Sequence, residues 1–278
     1  MRRTWLFVPG ADQAAHGAAA RSGADVLIQE LEDFTPPALR PKARALAAGL
    51  YERWRKAGAL AAVRVNPLET CGRDDLATVL AGRPDLVLMS KVETPEQVRA
   101  LAAAAPGVDL VPNVESARGL LRVAEIARAS PRVVALLVAS EDMVADLGTS
   151  RSRGGEELAY VRQRFLVECR AAGVEAIDAP YTFSDTKGAM ADAKWAQRMG
   201  YRMKSIVDPT HAKAVNKVFT PDLARATKIV AAFEKAREQG KERARLDGAL
   251  IEVPIYAAAK RLLASAAHTP QRKRRKRS

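Results

Sequence analysis

The segment from residue 108 to 141 decides the fold. It reads VDLVPNVE (108–115), then ARGLLRVAEIARA (117–129), then VVALLVASE (133–141). Two short apolar runs flank a stretch in which apolar residues recur three and four positions apart. Such runs are typical of buried parallel strands, and such spacing is typical of an amphipathic helix. The segment therefore predicts a strand–helix–strand unit with parallel strands.

The same alternation continues along the chain. Six further apolar runs lie at 4–9, 24–32, 61–67, 85–91, 174–181 and 203–209. Eight strands that alternate with helices predict an α/β fold of the closed (β/α)8 TIM barrel type. A doubly wound open sheet is the alternative. However, the turn after the first run, VPGADQAAHG, lacks the glycine-rich phosphate motif of that fold.

The chain is expected to have three parts. Residues 1–230 form the barrel, residues 231–268 form a C-terminal helical extension that acts as a lid or oligomer contact, and residues 269–278 form a disordered basic tail. Within the tail, RKRRKR (272–277) carries six positive charges of a chain whose net charge is +13. We interpret it as a solvated tail and expect no nucleic-acid partner. A non-catalytic subunit or polyanion binder that uses this tail is the alternative from another functional class.

Composition excludes several classes of protein. The two cysteines, Cys71 and Cys169, form no CxxC motif, which argues against disulfide scaffolding and zinc binding. No apolar run approaches the roughly 20 residues that span a bilayer, and the N-terminal run is too short for a signal peptide. The sequence therefore predicts a soluble cytoplasmic protein without membrane contact.

Two acids follow neighbouring predicted strands. Glu115 ends one run and Asp142 follows the next, about one β/α unit further on. Barrel active sites lie at the carboxyl ends of the strands, so we expect the two carboxylates to converge. Such pairs, completed by water, are typical ligands of Mg²⁺ or Mn²⁺. Alternatively, Glu115 complements the start of a helix and Asp142 caps one.

Arg64 lies inside an apolar run, AAVRVNP (61–67). A buried guanidinium needs an anionic partner. The expected partner is Glu32, Asp33, or the carboxylate or enolate of a substrate.

Three other polar residues lie near predicted strand ends and have more than one interpretation. Lys91 either forms a Schiff base or pairs with an acid. Asp208 either caps a helix or lines the pocket. His211 either lines the site or, as we expect, lies at the surface, and none of the histidines has the spacing of a metal-ligand motif.

Several motifs, in this order, resemble the citrate lyase β-subunit-like (HpcH/HpaI aldolase) family over roughly residues 3–265. They are LFVPG (6–10), VLIQELED (26–33), VRVNP (63–67), SKVE (90–93), VPNVESARGLL (111–121) and ASEDMVADLG (139–148). The resemblance implies a TIM barrel that binds Mg²⁺ or Mn²⁺ through Glu115 and Asp142.

The resemblance also implies an activity. It points to a carbon–carbon lyase or aldolase that acts on a hydroxy (di)carboxylate or its CoA thioester, such as a citryl-, malyl- or citramalyl-CoA, through an enolate that the metal stabilises. Arg64 would contact the substrate, and Glu32 and Asp33 would orient Arg64 and the metal's water ligands. A metal-dependent acyl-CoA thioesterase with the same centre is the alternative.

The family resemblance implies a homotrimer or hexamer in which Glu252 of a neighbouring copy reaches the thioester end of the site. The general base stays open among Glu30, Asp33, Asp208, Glu252 and a metal-bound water. Residues 11–20 lack the basic side chains that relatives use for the CoA phosphates. The substrate is therefore expected to be a small carboxylate, with or without CoA.

Overall fold

Eight parallel strands form a closed barrel in the computed structural model, which describes residues 2–267. Each predicted apolar run overlaps one of them. The strands are β1 Thr4–Pro9, β2 Val26–Glu30, β3 Leu60–Val65, β4 Leu86–Met89, β5 Asp109–Val114, β6 Ala135–Val138, β7 Glu175–Asp178 and β8 Met203–Ile206. Because β1 pairs with both β2 and β8, this sheet has no edge. The predicted TIM barrel is confirmed and the open sheet is excluded.

Helices follow the strands around the barrel. They are α1 Gln13–Ser22, α2 Arg40–Lys56, α3 Gly72–Val79, α4 Pro95–Ala104, α5 Ala117–Leu120, α6 Val123–Arg128, α7 Glu141–Asp146, α8 Ala159–Ala172, α9 Thr186–Met199 and α10 Ala212–Phe219. No helix among residues 2–267 is both long and apolar enough to cross a membrane.

The strands are apolar on both faces because both faces are buried. The inner face packs within the barrel around residues such as Ile28, Leu88 and Val111, whereas the outer face packs against the helices. Side chains alternate between the two faces with a period of two residues. Arg64, two residues after the inward-facing Ala62, and Glu115, four residues after Val111, therefore project into the barrel mouth.

The segment 117–129, predicted as one helix, contains two short ones. Ser116 caps α5 by accepting a hydrogen bond from the Gly119 amide, and helical geometry breaks at Arg122. A Cβ at Gly119 would lie 2.7 Å from the carbonyl oxygen of Val92. Glycine thus allows α5 to press against the loop that follows β4.

The C-terminal residues form a separate compact unit that begins at Thr220, whereas Arg2–Phe219 form the barrel unit. It contains α11 Leu223–Glu238, the antiparallel strands β9 Ala244–Leu246 and β10 Ala249–Ile251, and α12 Val253–Ala267. The predicted helical extension over residues 231–268 is wrong over this hairpin. Asp247 and Gly248 both have positive φ, as the tight turn of a hairpin requires.

The boundary between the two compact units falls between residues 219 and 220 of the chain, whereas the sequence predicted the end of the barrel at residue 230. The role of the C-terminal unit as a lid or oligomer contact stays a prediction. The basic tail at 269–278 lies outside the described residues.

Candidate active site

Arg64 is the centre of a buried ionic cluster at the carboxyl ends of β2 and β3. Its Nε donates a hydrogen bond to Glu30 Oε1 at 2.9 Å, and its Nη2 lies 3.0 Å from Glu32 Oε2. Its Nη1 lies 3.5 Å from Glu115 Oε1, and the guanidinium covers the ring of Phe7. Burial lowers the pKa of Arg64, but the three carboxylates outweigh burial and raise it. Arg64 is therefore a permanently charged and fixed cation.

Glu30 holds Arg64 in place. Its carboxylate is completely buried and accepts hydrogen bonds from the backbone amides of Glu32 and Phe34 as well as from Arg64. The sequence interpretation had named Glu32 and Asp33 as the partners of Arg64. Glu32 is one of them, whereas the nearest Asp33 oxygen is 3.9 Å away. Because Glu30 already accepts three hydrogen bonds, it is poorly suited to be the general base.

Lys91 pairs with Glu32 across the rim at 2.5 Å. The hydrogen bond to Glu32 raises the pKa of Lys91, so its amine is protonated and cannot act as a nucleophile. This ion pair favours the paired interpretation of Lys91 over the Schiff base. Burial raises the pKa of Glu32, although Arg64 and Lys91 oppose that shift.

Glu115 is buried, and neither of its carboxylate oxygens has a hydrogen-bond partner among residues 2–267. Ser116, not Glu115, caps α5. Asp142 lies in the first turn of α7, whose N-cap position is Ser140, so it is not the cap that the sequence allowed as an alternative. Both acids line one groove of about 610 Å³ at the ends of β5 and β6.

The two carboxylates fit a divalent metal ion. A buried carboxylate without a partner is costly, and a hard cation would supply what Glu115 lacks. Among the described residues no group of three or more acids, histidines or cysteines is arranged around one point. Protein ligands would therefore be few, and water or substrate oxygens would complete the coordination, as is usual for Mg²⁺.

A smaller cavity of about 80 Å³ lies beside the groove. It shares Asp142 with the groove and is also lined by Phe7, Asp33, Arg64 and Leu137, among others. A cation, an apolar floor and the metal-ligand candidate Asp142 thus surround one small volume. A small carboxylic acid fits this environment, because its carboxylate can pair with Arg64 while a second oxygen faces Asp142 and Glu115.

Other polar residues at strand ends have other roles. Asp178, at the end of β7, faces outward and forms a buried ion network with Arg162 and Lys204. Asp208 accepts hydrogen bonds from the amide and hydroxyl of Thr210 and does not line the cavity or the groove.

The expectation that His211 lies at the surface is wrong, because its side chain is fully buried and its Nε2 lies 3.1 Å from the carbonyl oxygen of Ser184. Glu252 belongs to the C-terminal unit, where it lies 3.5 Å from Arg243. The role that the family resemblance gives it stays a prediction.

Sequence reasoning missed the role of Glu30 as the anchor of Arg64. The two-residue period of β2 places Glu30 on the same inward face as Ile28. Strand pairing places Glu30 directly opposite Arg64. That register could not be read from either strand alone.

Metal-free stability should depend on pH through Glu115. Burial raises the pKa of Glu115 from 4.5 to about 8, and Asp142 and Glu32 add to the shift. Because the folded-state pKa is the higher one, Glu115 contributes stability below pH 4.5 that is lost as the pH rises towards 8. The wild type and Glu115→Gln should therefore differ in their free energies of unfolding in a pH-dependent way. The value for the wild type minus the value for the variant should decrease as the pH rises from 5.5 to 8.5.

Denaturant unfolding in a chelator, repeated with Mg²⁺, tests this expectation. The metal binds the deprotonated carboxylate, so the stabilisation by Mg²⁺ should increase over the same interval. A difference between the two proteins that does not change with pH would contradict the assignment of the titration to Glu115.

Comparison with protein families matches residues 3–209 to the model described as HpcH/HpaI aldolase/citrate lyase. A protein named (3S)-malyl-CoA thioesterase from Cereibacter sphaeroides is 33% identical over 270 residues, which are 95% of this chain and 94% of that protein. A citrate lyase subunit beta from Leuconostoc mesenteroides subsp. cremoris is 29% identical over 286 residues, covering 96% of this chain and 95% of the relative.

Solved structures show the same similarity. CitE from Mycobacterium tuberculosis, in complex with magnesium, acetoacetate and coenzyme A, superimposes with a TM-score of 0.79 at 29% identity. The match covers 95% of this chain and 98% of that one. A citrate lyase beta subunit from M. tuberculosis, complexed with oxaloacetate and magnesium, has a TM-score of 0.68 at 32% identity over 78% of this chain and 96% of that one.

Proposed function

The chain belongs to the HpcH/HpaI aldolase/citrate lyase family, and we propose that it is a divalent-metal-dependent carbon–carbon lyase. Its substrate would be a hydroxy carboxylate or the CoA thioester of one. The observation that carries the proposal is Glu115, a buried carboxylate without a hydrogen-bond partner in the described chain, beside Asp142 and Arg64. The complexes of CitE with magnesium and oxaloacetate, pyruvate or acetoacetate support the choice of ligands.

Glu115 and Asp142 would hold the ion, with Mg²⁺ or Mn²⁺ as the expected metal. When bound, the ion supplies a positive charge that polarises an oxygen of the substrate. Arg64 would pair with the substrate carboxylate and stabilise the negative charge that develops as the carbon–carbon bond breaks. Glu30 keeps the guanidinium in one orientation, so little reorganisation is needed during the reaction.

Asp33 is the best-placed group in the barrel unit to move the proton. Cleavage turns the carbon that bears the hydroxyl into a carbonyl, so the hydroxyl proton must leave, and the electron pair of the broken bond stays on the acyl fragment as an enolate. Asp33 would accept the hydroxyl proton and deliver it to the enolate carbon. In the reverse direction the same carboxylate would remove that proton. Asp33 lines the cavity and is half-exposed. Within residues 2–267 its nearest cations are Arg64 and Lys91, each 3.9 Å away, and no side chain forms a hydrogen bond with it. Glu30 already accepts three hydrogen bonds, and the Asp208 carboxylate accepts hydrogen bonds from Thr210, so both are less suited to this role.

We expect Asp33→Asn to slow enolisation by about 100-fold or more, in the range typical of general acid–base catalysis. The readout is the exchange of the methyl hydrogens of pyruvate and acetyl-CoA in D₂O with Mg²⁺, followed by NMR. The affinity for oxaloacetate should change by less than about fivefold, because Asp33 is too far from Arg64 for a direct hydrogen bond.

Asp208→Asn is the matched control, since it removes another carboxylate that the sequence offered as a base. Its exchange rate should equal that of the wild type. If Asp33→Asn also exchanges at the wild-type rate, Asp33 is not the group that moves the proton.

A thioesterase that uses the same residues is the second candidate, favoured by the similarity to a protein named (3S)-malyl-CoA thioesterase. Product analysis with malyl-CoA separates the two. Lysis gives glyoxylate and acetyl-CoA, whereas hydrolysis gives malate and free CoA. We expect lysis that requires Mg²⁺ and stops with a chelator. Malate and CoA as the sole products would replace the lyase proposal with the thioesterase one.

The role of CoA and the contribution of a second copy belong to the same proposal. Free malate and citramalate, tested beside their thioesters, show whether the CoA moiety is needed. A homotrimer or hexamer would allow Glu252 of a neighbour to act near the thioester. If Glu252→Gln no longer cleaves CoA thioester substrates but still exchanges the hydrogens of pyruvate at the wild-type rate, that role is supported.

A further inference from the structure

Asn113 on β5 is a buried side chain that the proposed mechanism does not use. It is completely buried, and neither the nitrogen nor the oxygen of its amide has a hydrogen-bond partner among the described residues. By contrast, the buried Asn66 donates hydrogen bonds to the Leu31 carbonyl and to Asp75. Buried amides are nearly always satisfied by protein, water or ligand. The partner of the Asn113 amide is therefore expected to be a water molecule or a ligand.

Asn113 faces the barrel interior next to the candidate site. It is two residues before Glu115 and two after the inward-facing Val111, so its side chain shares their face. Its direct neighbour on β6 is Leu137. In an eight-stranded barrel with a shear of eight, the register shifts by one residue per strand. Followed through the strand pairing, this shift places Asn113 in one layer with Phe7 and Arg64.

Two residues of the same layer as Asn113, Phe7 and Arg64, line the small cavity. Leu137, its partner on the adjacent strand, lines it as well. The group directly above it on β5 is Glu115, whose oxygens also lack hydrogen-bond partners. The distance of 3.5 Å between Arg64 Nη1 and Glu115 Oε1 is too long for a strong hydrogen bond. The amide of Asn113 and the carboxylate of Glu115, two residues apart on one face of β5, thus both lack partners, although Asn113 itself does not line the cavity.

The chemistry of the amide restricts what can bind it. It presents one donor group and one acceptor at once and carries no charge. A hydroxyl oxygen, which both donates and accepts, satisfies both atoms. A carboxylate would leave the amide oxygen without a donor and would be repelled by Glu115 and Glu32. Arg64 already supplies the positive charge that a substrate carboxylate needs, so the carboxylate does not require Asn113.

We propose that the Asn113 amide binds one hydroxyl-type oxygen in the barrel interior beside the site, carried either by the substrate, whose specificity Asn113 would then determine, or by an enclosed water. The proposal rests on the proposed function and refines it, because it assigns a polar subsite for a hydroxy acid next to the cation that binds the carboxylate. A substrate hydroxyl in this subsite would favour hydroxy acids over the corresponding oxo acids.

Asn113→Leu tests the subsite, because leucine has a similar size and no polar side-chain atom. Calorimetry on the full chain with Mg²⁺ compares the binding of malate and oxaloacetate, which differ in a hydroxyl and a carbonyl. We expect the variant to lose about tenfold in affinity for malate. Loss for malate alone assigns the oxygen to the substrate, whereas an equal loss for both acids assigns it to an enclosed water.

Asn113→Thr is the matched variant, since its hydroxyl both donates and accepts and its branched side chain suits a strand. It should recover part of the lost affinity. Unchanged affinity of Asn113→Leu for both acids would overturn the proposal, and so would a loss that threonine does not restore. Failure of the proposed function looks different, because then the wild type binds neither Mg²⁺ nor either acid.

Discussion

Replacing Glu115 by glutamine should lower the affinity of the protein for Mg²⁺ by at least about 100-fold, since even residues that only orient metal ligands often contribute 10–100-fold. Glutamine keeps the size of the side chain but removes the charge that would hold the ion. Metal-dependent cleavage should fall with metal occupancy. Calorimetry with Mg²⁺ measures the affinity, and Mn²⁺ detected by electron paramagnetic resonance gives the number of bound ions.

The groove offers a matched control for this prediction. Glu69→Gln removes an exposed carboxylate that lines the same groove, and it should leave Mg²⁺ affinity within about threefold of the wild type. Asp142→Asn should behave like Glu115→Gln. Equal losses in Glu69→Gln and Glu115→Gln would mean that the groove attracts cations only through its overall charge.

Replacing Arg64 by alanine should have the largest combined effect on stability and activity. Glu30, Glu32 and Glu115 would lose their shared cation while they stay buried. Breaking buried ion pairs in this way typically costs about 3–5 kcal/mol of the free energy of unfolding. Cleavage should fall by about 100- to 1,000-fold, as when a donor to a developing negative charge is removed from an active site. Urea unfolding and single-turnover cleavage measure the two effects.

Arg64→Lys separates the two effects. Lysine keeps the positive charge, so it should restore much of the stability, but its single ammonium group cannot contact Glu30, Glu32 and the substrate in the same geometry. We expect Arg64→Lys to fold, to bind Mg²⁺ and to cleave at least about tenfold more slowly than the wild type. A lysine variant with wild-type turnover would show that Arg64 acts only as a structural cation.

The barrel could be predicted from the sequence because its signals are local. Each buried strand is an apolar run, and each crossover helix has its own period. The hairpin at 244–251 was missed because the charged segment before it has helical spacing. The break at Arg122 lies within a continuous helical pattern, so periodicity alone did not predict it.

The candidate site was predicted less completely because it depends on strand register and on burial. Arg64, Glu115 and Asp142 were recognisable as charged residues at the ends of apolar runs. The anchoring by Glu30 required the pairing of β2 with β3, and the burial of His211 required the packing of the loop that follows β8. Asn113 carries no signal in the sequence, because an asparagine before a strand end is ordinary until its partners are known.

The central claim is that Glu115 and Asp142 hold a divalent ion that binds an oxo acid next to Arg64. A crystal grown with Mn²⁺ and oxaloacetate, and measured for anomalous scattering, tests it most directly. The predicted result is one anomalous peak within about 2.3 Å of both carboxylates, with the acid bridging the ion and Arg64. The absence of a peak at these two residues, or oxaloacetate bound away from Arg64, would contradict the claim.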